Sequence, residues 1–440
     1  MDTFKQTVAT RLVLLITLVS AHAVTAQHLH EDPPINYEQA EPENCVTRLQ
    51  AKLDTGELEL EHDETWGYLP AVLKALNVPV SSQALVFSKT SLQVSKISPR
   101  RPRAIYFGDD VYIGWVQRSK IMEISAVDPK LGGVFYVLEH TPAKQPQFVR
   151  KVESCLSCHA TRHSSYMPGH VVFSVYSDWL GSPVSSEGFT STDHRSAFKS
   201  RWGGWYVTGK HGDQRHLGNR TLNAYENRNN FDYDAGANVT DLSKFFDVDR
   251  YLSPHSDLIA LMVMEHQAMA HNRLTAAGYR GRIYESIFAD PARESEQKTA
   301  NYRLDSEVSR LVDTLLMARE ATLSEPISGT SGYAKSFSAI GPHDSQGRSL
   351  RALDLKTRLF RYPCSYLIHS EAFDGMPKIV RDRVYRRMWE VLSSDELGFK
   401  YRHITLKDRQ AVIEILREIK PEVNAIWPAD GLGTDDDPAG

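Results

Sequence analysis

The segment Cys155-Leu156-Ser157-Cys158-His159 constrains this chain more than any other. C-x-x-C-H is the attachment pattern of c-type haem. Two thiols on one turn can each bond a vinyl side chain of the porphyrin. The His that follows turns its imidazole to the iron from the same face. A zinc site is the rival reading, but it wants a second ligand pair at zinc-like spacing. The other cysteines, Cys45 and Cys364, are single and far apart. A thioredoxin-like pair wants a βαβ context and has no need of the His. The motif predicts one haem c, held covalently by Cys155 and Cys158, with His159 as an axial iron ligand.

The N-terminus predicts the compartment such chemistry needs. Lys5 and Arg11 precede the apolar run Leu12 to Ser20, and small-x-small sites end at Ala23 and Ala26. This is the pattern of a secretory signal peptide over 1–26. The run is shorter than the ~20 residues of a spanning helix. Cleavage after Ala26 removes Asp2, Lys5 and Arg11 and takes the formal charge from −4 to −5. The expected product is periplasmic or secreted, with no stable membrane span after cleavage. Its acidity and lack of a Lys/Arg block exclude nucleic acid as a partner. In an oxidising compartment the leftover pair Cys45 and Cys364 most simply forms one disulfide, two free thiols being the alternative.

Periodicity along the 440 residues predicts an α+β fold. Glu43 to Lys52 and Tyr68 to Leu76 read as short helices. Ala104–Phe107, Val111–Val116, Met122–Val127 and Val134–Leu138 read as strands, separated by Gly-Asp-Asp and Asp-Pro-Lys-Leu-Gly-Gly turns. Val171 to Tyr176 returns as a strand after the motif. The haem-bearing part, 27–190, is thus expected to be an antiparallel-sheet, PAS-like module rather than a small helical cytochrome. An irregular stretch, 191–250, leads to a mainly helical part, 251–425, and to an acidic tail, 426–440, expected to be disordered. In the helical part Ser253 is the expected N-cap with Pro254 at the first position. That helix runs to about Ala276, and others are expected over Leu304–Thr322, around Val380 to Val391, and from Thr405 to Ile419.

The second axial ligand is less constrained. His170, in Met167-Pro168-Gly169-His170, is preferred, because a Pro-Gly turn can swing the chain around the haem edge. On the long helix Met262, His266 and Met269 share a face, whereas His266 and His271 lie about 140° apart. His163, His211 and His216 are further candidates, as is an open, five-coordinate iron.

The chain resembles a family of exported bacterial monohaem c-type cytochromes of undefined role. The resemblance rests on Cys155–His159, Met167–His170, Trp202–Gly209 with His211–Asn219, Asn238–Leu242, Glu265–Asn272 and Arg361–Ile368. It implies a covalent haem and carries no activity. Three roles stay open: electron transfer with a redox protein or small-molecule partner, haem-dependent oxidation or reduction of a small molecule, and ligand sensing. Lys96, Arg100, Arg101 and Arg103 offer a basic docking patch for the first. His211, His216, Glu265, His266 and His271 are acid/base candidates for the second.

Overall fold

The computed structural model describes residues 29–429. The expected signal peptide and residues 430–440 of the expected tail lie outside them, whereas Trp427, placed in that tail, is buried, its indole N–H donating to the Tyr385 carbonyl at 2.8 Å.

The first helices among the described residues are α1 (Cys45–Asp54) and α2 (Leu69–Ala75). Asn44 caps α1, accepting from the backbone of Val46 and Thr47 in a capping box. Six strands follow as an antiparallel meander in sequence order: β1 (Ala84–Val86), β2 (Arg103–Phe107), β3 (Val111–Trp115), β4 (Ile121–Asp128), β5 (Gly132–Glu139) and β6 (Val149–Lys151). Alternation sorts their side chains onto two faces. Tyr106, Ile113, Ile124 and Tyr136 enter one apolar cluster with Val46 and Leu49 of α1 and Val72 of α2. Phe107, Tyr112 and Val127 enter a second cluster, shared with the helical half. Both faces being covered explains why these strands read as near-continuous apolar runs.

The motif forms a short helix, α3 (Glu153–His159), directly after β6. Strands β7 (Phe173–Val175) and β8 (Phe189–Ser191) make a separate antiparallel pair.

The helical half is α4 (Leu258–Ala289), α5 (Glu294–Leu315), α6 (Tyr333–Ser338), α7 (Glu371–Asp374), α8 (Lys378–Leu392) and α9 (Leu406–Ile419). At 32 residues α4 is about 48 Å long. It is buried on nearly every side and feeds both clusters, through Leu258 to Ala277 in one and through Ala276 and Tyr279 in the other. The sheet region and the helical half therefore share a core. Among the described residues, no helix is long and apolar enough to cross a membrane.

Several expected boundaries move. The cap of α4 is Asp257, not Ser253: its carboxylate accepts from the backbone of Ile259 and Ala260, and also from Thr330 and Ser331 of a distant loop. The helix continues to Ala289 rather than ending near Ala276. Helix α5 starts ten residues before Leu304 and ends at Leu315, before Thr322. The capping box at Thr405 and the buried face of Val380, Val384, Met388 and Val391 are as expected. The expected Cys45–Cys364 bridge is not formed. Both are free thiols, Cys45 packed against the sheet-and-α1 cluster and Cys364 buried in the other.

Within the helical core Arg201 forms a buried ion pair with Glu265 of α4. Its other guanidinium nitrogens donate to the carbonyls of Ser196 and His194. Burial raises the Glu265 pKa, and the Arg201 charge opposes that rise. Arg201→Leu leaves the carboxylate without its cation. A loss of about 3–5 kcal/mol is expected in urea unfolding, partly restored by adding Glu265→Leu.

Candidate functional site

Helical spacing puts Cys158 and His159 each within about 60° of Cys155, on an arc of about 100°. On α3 all three line one cavity of about 630 Å3, within the ~300–1,000 Å3 of small-molecule and cofactor sites. Cys158 is exposed and Cys155 half-buried. Burial pushes the Cys155 thiol up and the His159 imidazole down. Burial thus favours the neutral imidazole, the form able to act as a ligand. Its Nδ1 lies 2.8 Å from the Gly169 carbonyl oxygen. Donation there fixes the tautomer and leaves Nε2 with the lone pair.

The cavity floor is one face of the sheet. Register aligns Tyr112, Ser125 and Phe135 in one cross-strand row and Ile105, Gly114, Glu123 and Val137 in the next, and all seven line the cavity. Gly114 matters here, because a Cβ would run into the Arg103 guanidinium lying across it. That guanidinium reaches Glu123 at 2.6 Å. The opposite wall is α4, through Met264 and Ala268, and the rim includes Leu92, Val94, His163, Phe173 and Phe189.

His170 joins His159 in this cavity, with ring centres 6.3 Å apart. Asn272 of α4 clamps its backbone, accepting from its N–H at 2.9 Å and donating to its carbonyl at 2.7 Å. Gly169 permits this, since a Cβ there would strike the Asn272 carboxamide. The His170 ring packs on Tyr112 at 4.3 Å and shares a 2.5 Å hydrogen bond through Nε2 with Ser125 Oγ. Its Nδ1 is buried without a partner among the described residues. Burial, then His159 and His271, hold its pKa well below the usual value.

The other candidates lie elsewhere. His266 bonds Ser365 Oγ at 2.7 Å and His194 at 3.3 Å. Neither it nor Met262, Met269, His211, His216, Glu265 or His271 is among the cavity-lining residues. The helix face that reaches the cavity is instead Met264 and Ala268, a half-turn away from the face expected. His271 stands behind Tyr112, its Nδ1 3.1 Å from the phenol oxygen. Arg103 turns into the cavity rather than joining a surface patch, and Lys96 donates to the Arg118 carbonyl.

Sequence reasoning missed Met264, Ser125, Asn272 and the Arg103–Glu123 pair. Two signals were present: Ser125 interrupts an apolar strand, and Asn272 is a short polar residue inside a long helix. No protein-family model, curated protein or solved structure matches the chain.

Proposed function

We propose that the protein is an exported, periplasmic c-type cytochrome that binds one haem through Cys155 and Cys158 and transfers electrons. The observation that carries this reading is His159: its Nδ1 is engaged by Gly169, it lines an apolar cavity of suitable size, and the two thiols stand beside it. The donor set suits haem iron, and the sheet face offers a flat apolar bed for a porphyrin ring. Bound there, a haem supplies a one-electron Fe(III)/Fe(II) couple. Lys89 and Arg162, which line the cavity, would hold its carboxylates. Phe135, with its ring 4.5 Å from that of His159, restricts how the imidazole turns. Met264 and Ala268 keep water from the α4 side.

One observation favours a second reading, a haem-dependent oxidoreductase or a PAS-like ligand sensor. Ser125 occupies Nε2 of His170, the nitrogen a second axial histidine would ordinarily offer. An iron left open on that side would accept a small ligand.

Coordination separates the two. For electron transfer the reduced protein is expected to be six-coordinate and low-spin, with a spectrum unchanged by carbon monoxide or nitrite. His170→Ala is then expected to yield a high-spin spectrum. If His170→Ala is silent and Met264→Ala produces the change, the thioether is the second ligand. Ready carbon monoxide binding by the unmodified protein would sink the electron-carrier reading in favour of the second.

A further inference from the structure

A second cavity, of about 110 Å3, lies apart from the haem-motif cavity, at the junction of the Gly341–Arg351 loop with the Tyr366–Ser370 turn. No residue lines both. Arg351 dominates it. This side chain is 6% exposed, and its guanidinium is fixed between two rings, 4.3 Å from the Tyr366 centre and 4.9 Å from that of Phe337. Nη2 is taken by the Asp109 carboxylate. Nη1 is buried with no hydrogen-bond partner among the described residues, as is Nε2 of His369 on the same cavity. A buried cationic N–H left without an acceptor is costly, and an acceptor bound there would remove that cost.

We propose that this cavity binds a small monocarboxylate. The planar guanidinium fork matches a planar oxyanion. The Ser349 hydroxyl, which already accepts from the Arg351 N–H at 3.2 Å, keeps its own proton to donate. Leu350, Leu367 and Pro342 supply an apolar wall for a short carbon chain. The volume of about 110 Å3 suits a short-chain acid and excludes a sugar or nucleotide. Asp109 competes for the same cation. Its side chain is half exposed, so a ligand can displace it into solvent.

Calorimetric titration of the full haem-loaded protein with propionate, acetate, nitrate and sulfate tests this. Propionate is expected to bind saturably and more tightly than acetate or nitrate, and sulfate not at all. Asp109→Asn is expected to tighten propionate several-fold by freeing the second guanidinium nitrogen, and Arg351→Gln to weaken it about tenfold. If Arg351→Gln does not fold, the Asp109→Asn arm decides, because it retains the cation. Absence of saturable propionate binding in both the unmodified and the Asp109→Asn proteins overturns the proposal. So does sulfate binding equal to that of propionate.

Discussion

Protein carrying both Cys155→Ser and Cys158→Ser is expected to contain no covalently bound haem. In a host that attaches haem c, the unmodified protein should keep its absorption bands through denaturation and acid–acetone extraction, and the double variant should lose them completely. Each single variant leaves one thioether, so an intermediate yield with a shifted band is expected. The sites are not equivalent: Cys158 is exposed, whereas burial pushes the half-buried Cys155 thiol up. In the folded protein Cys158 is thus the more accessible of the two thiols. His159→Ala should retain the covalent bonds and alter the iron spectrum. Extraction-resistant haem in the double variant would remove the basis of the electron-transfer proposal.

Acid is expected to unfold the protein steeply. Among the imidazoles that burial lowers far from their usual value are His194 and His369, to about 4, and His216 and His271, to about 3. In the unfolded chain each takes its proton near pH 6.5. Between those values the unfolded state binds more protons, so stability rises with pH. The contribution is complete above about pH 6.5 and is lost as pH falls toward 4 and then 3. Each site adds up to ~1.4 kcal/mol per pH unit, so four approach ~5 kcal/mol per unit near pH 5. That is comparable to the whole stability of an ordinary domain, ~5–15 kcal/mol. Urea unfolding at pH 7.5, 6 and 5 should show a loss of ~3 kcal/mol over the first interval and ~5 kcal/mol over the second. Equal stability at all three would show that the buried imidazoles do accept protons in the folded state.

Local pattern carried some of this fold and long-range contact carried the rest. Strands β2 to β5 were legible because turn residues separate β-branched and aromatic runs. The three-residue strands β1 and β6 were not, being too short to show a period. Ser253-Pro254 looks like a helix start, yet Asp257 takes that role because Thr330 and Ser331 also donate to it, from more than seventy residues away. The first ten residues of α5 are polar and mostly exposed, so no apolar stripe announced them. The motif was readable because its chemistry is local. Its cavity was not, since the walls come from residues scattered between Lys89 and Ala268. Met264 shows this most clearly: it joins the cavity wall only once α4 is laid across the sheet.

The place of α4 in the order of synthesis has a consequence for maturation. Ala268 emerges about 110 residues after Cys158, so a growing chain presents both thiols long before the wall opposite the sheet exists. The Asn272 clamp on His170 arrives later still. Until then the motif hangs on an unfinished scaffold, with both thiols open. Under the proposed haem attachment, arrival of α4 would close the site over the group, so attachment would precede the folding that seals it.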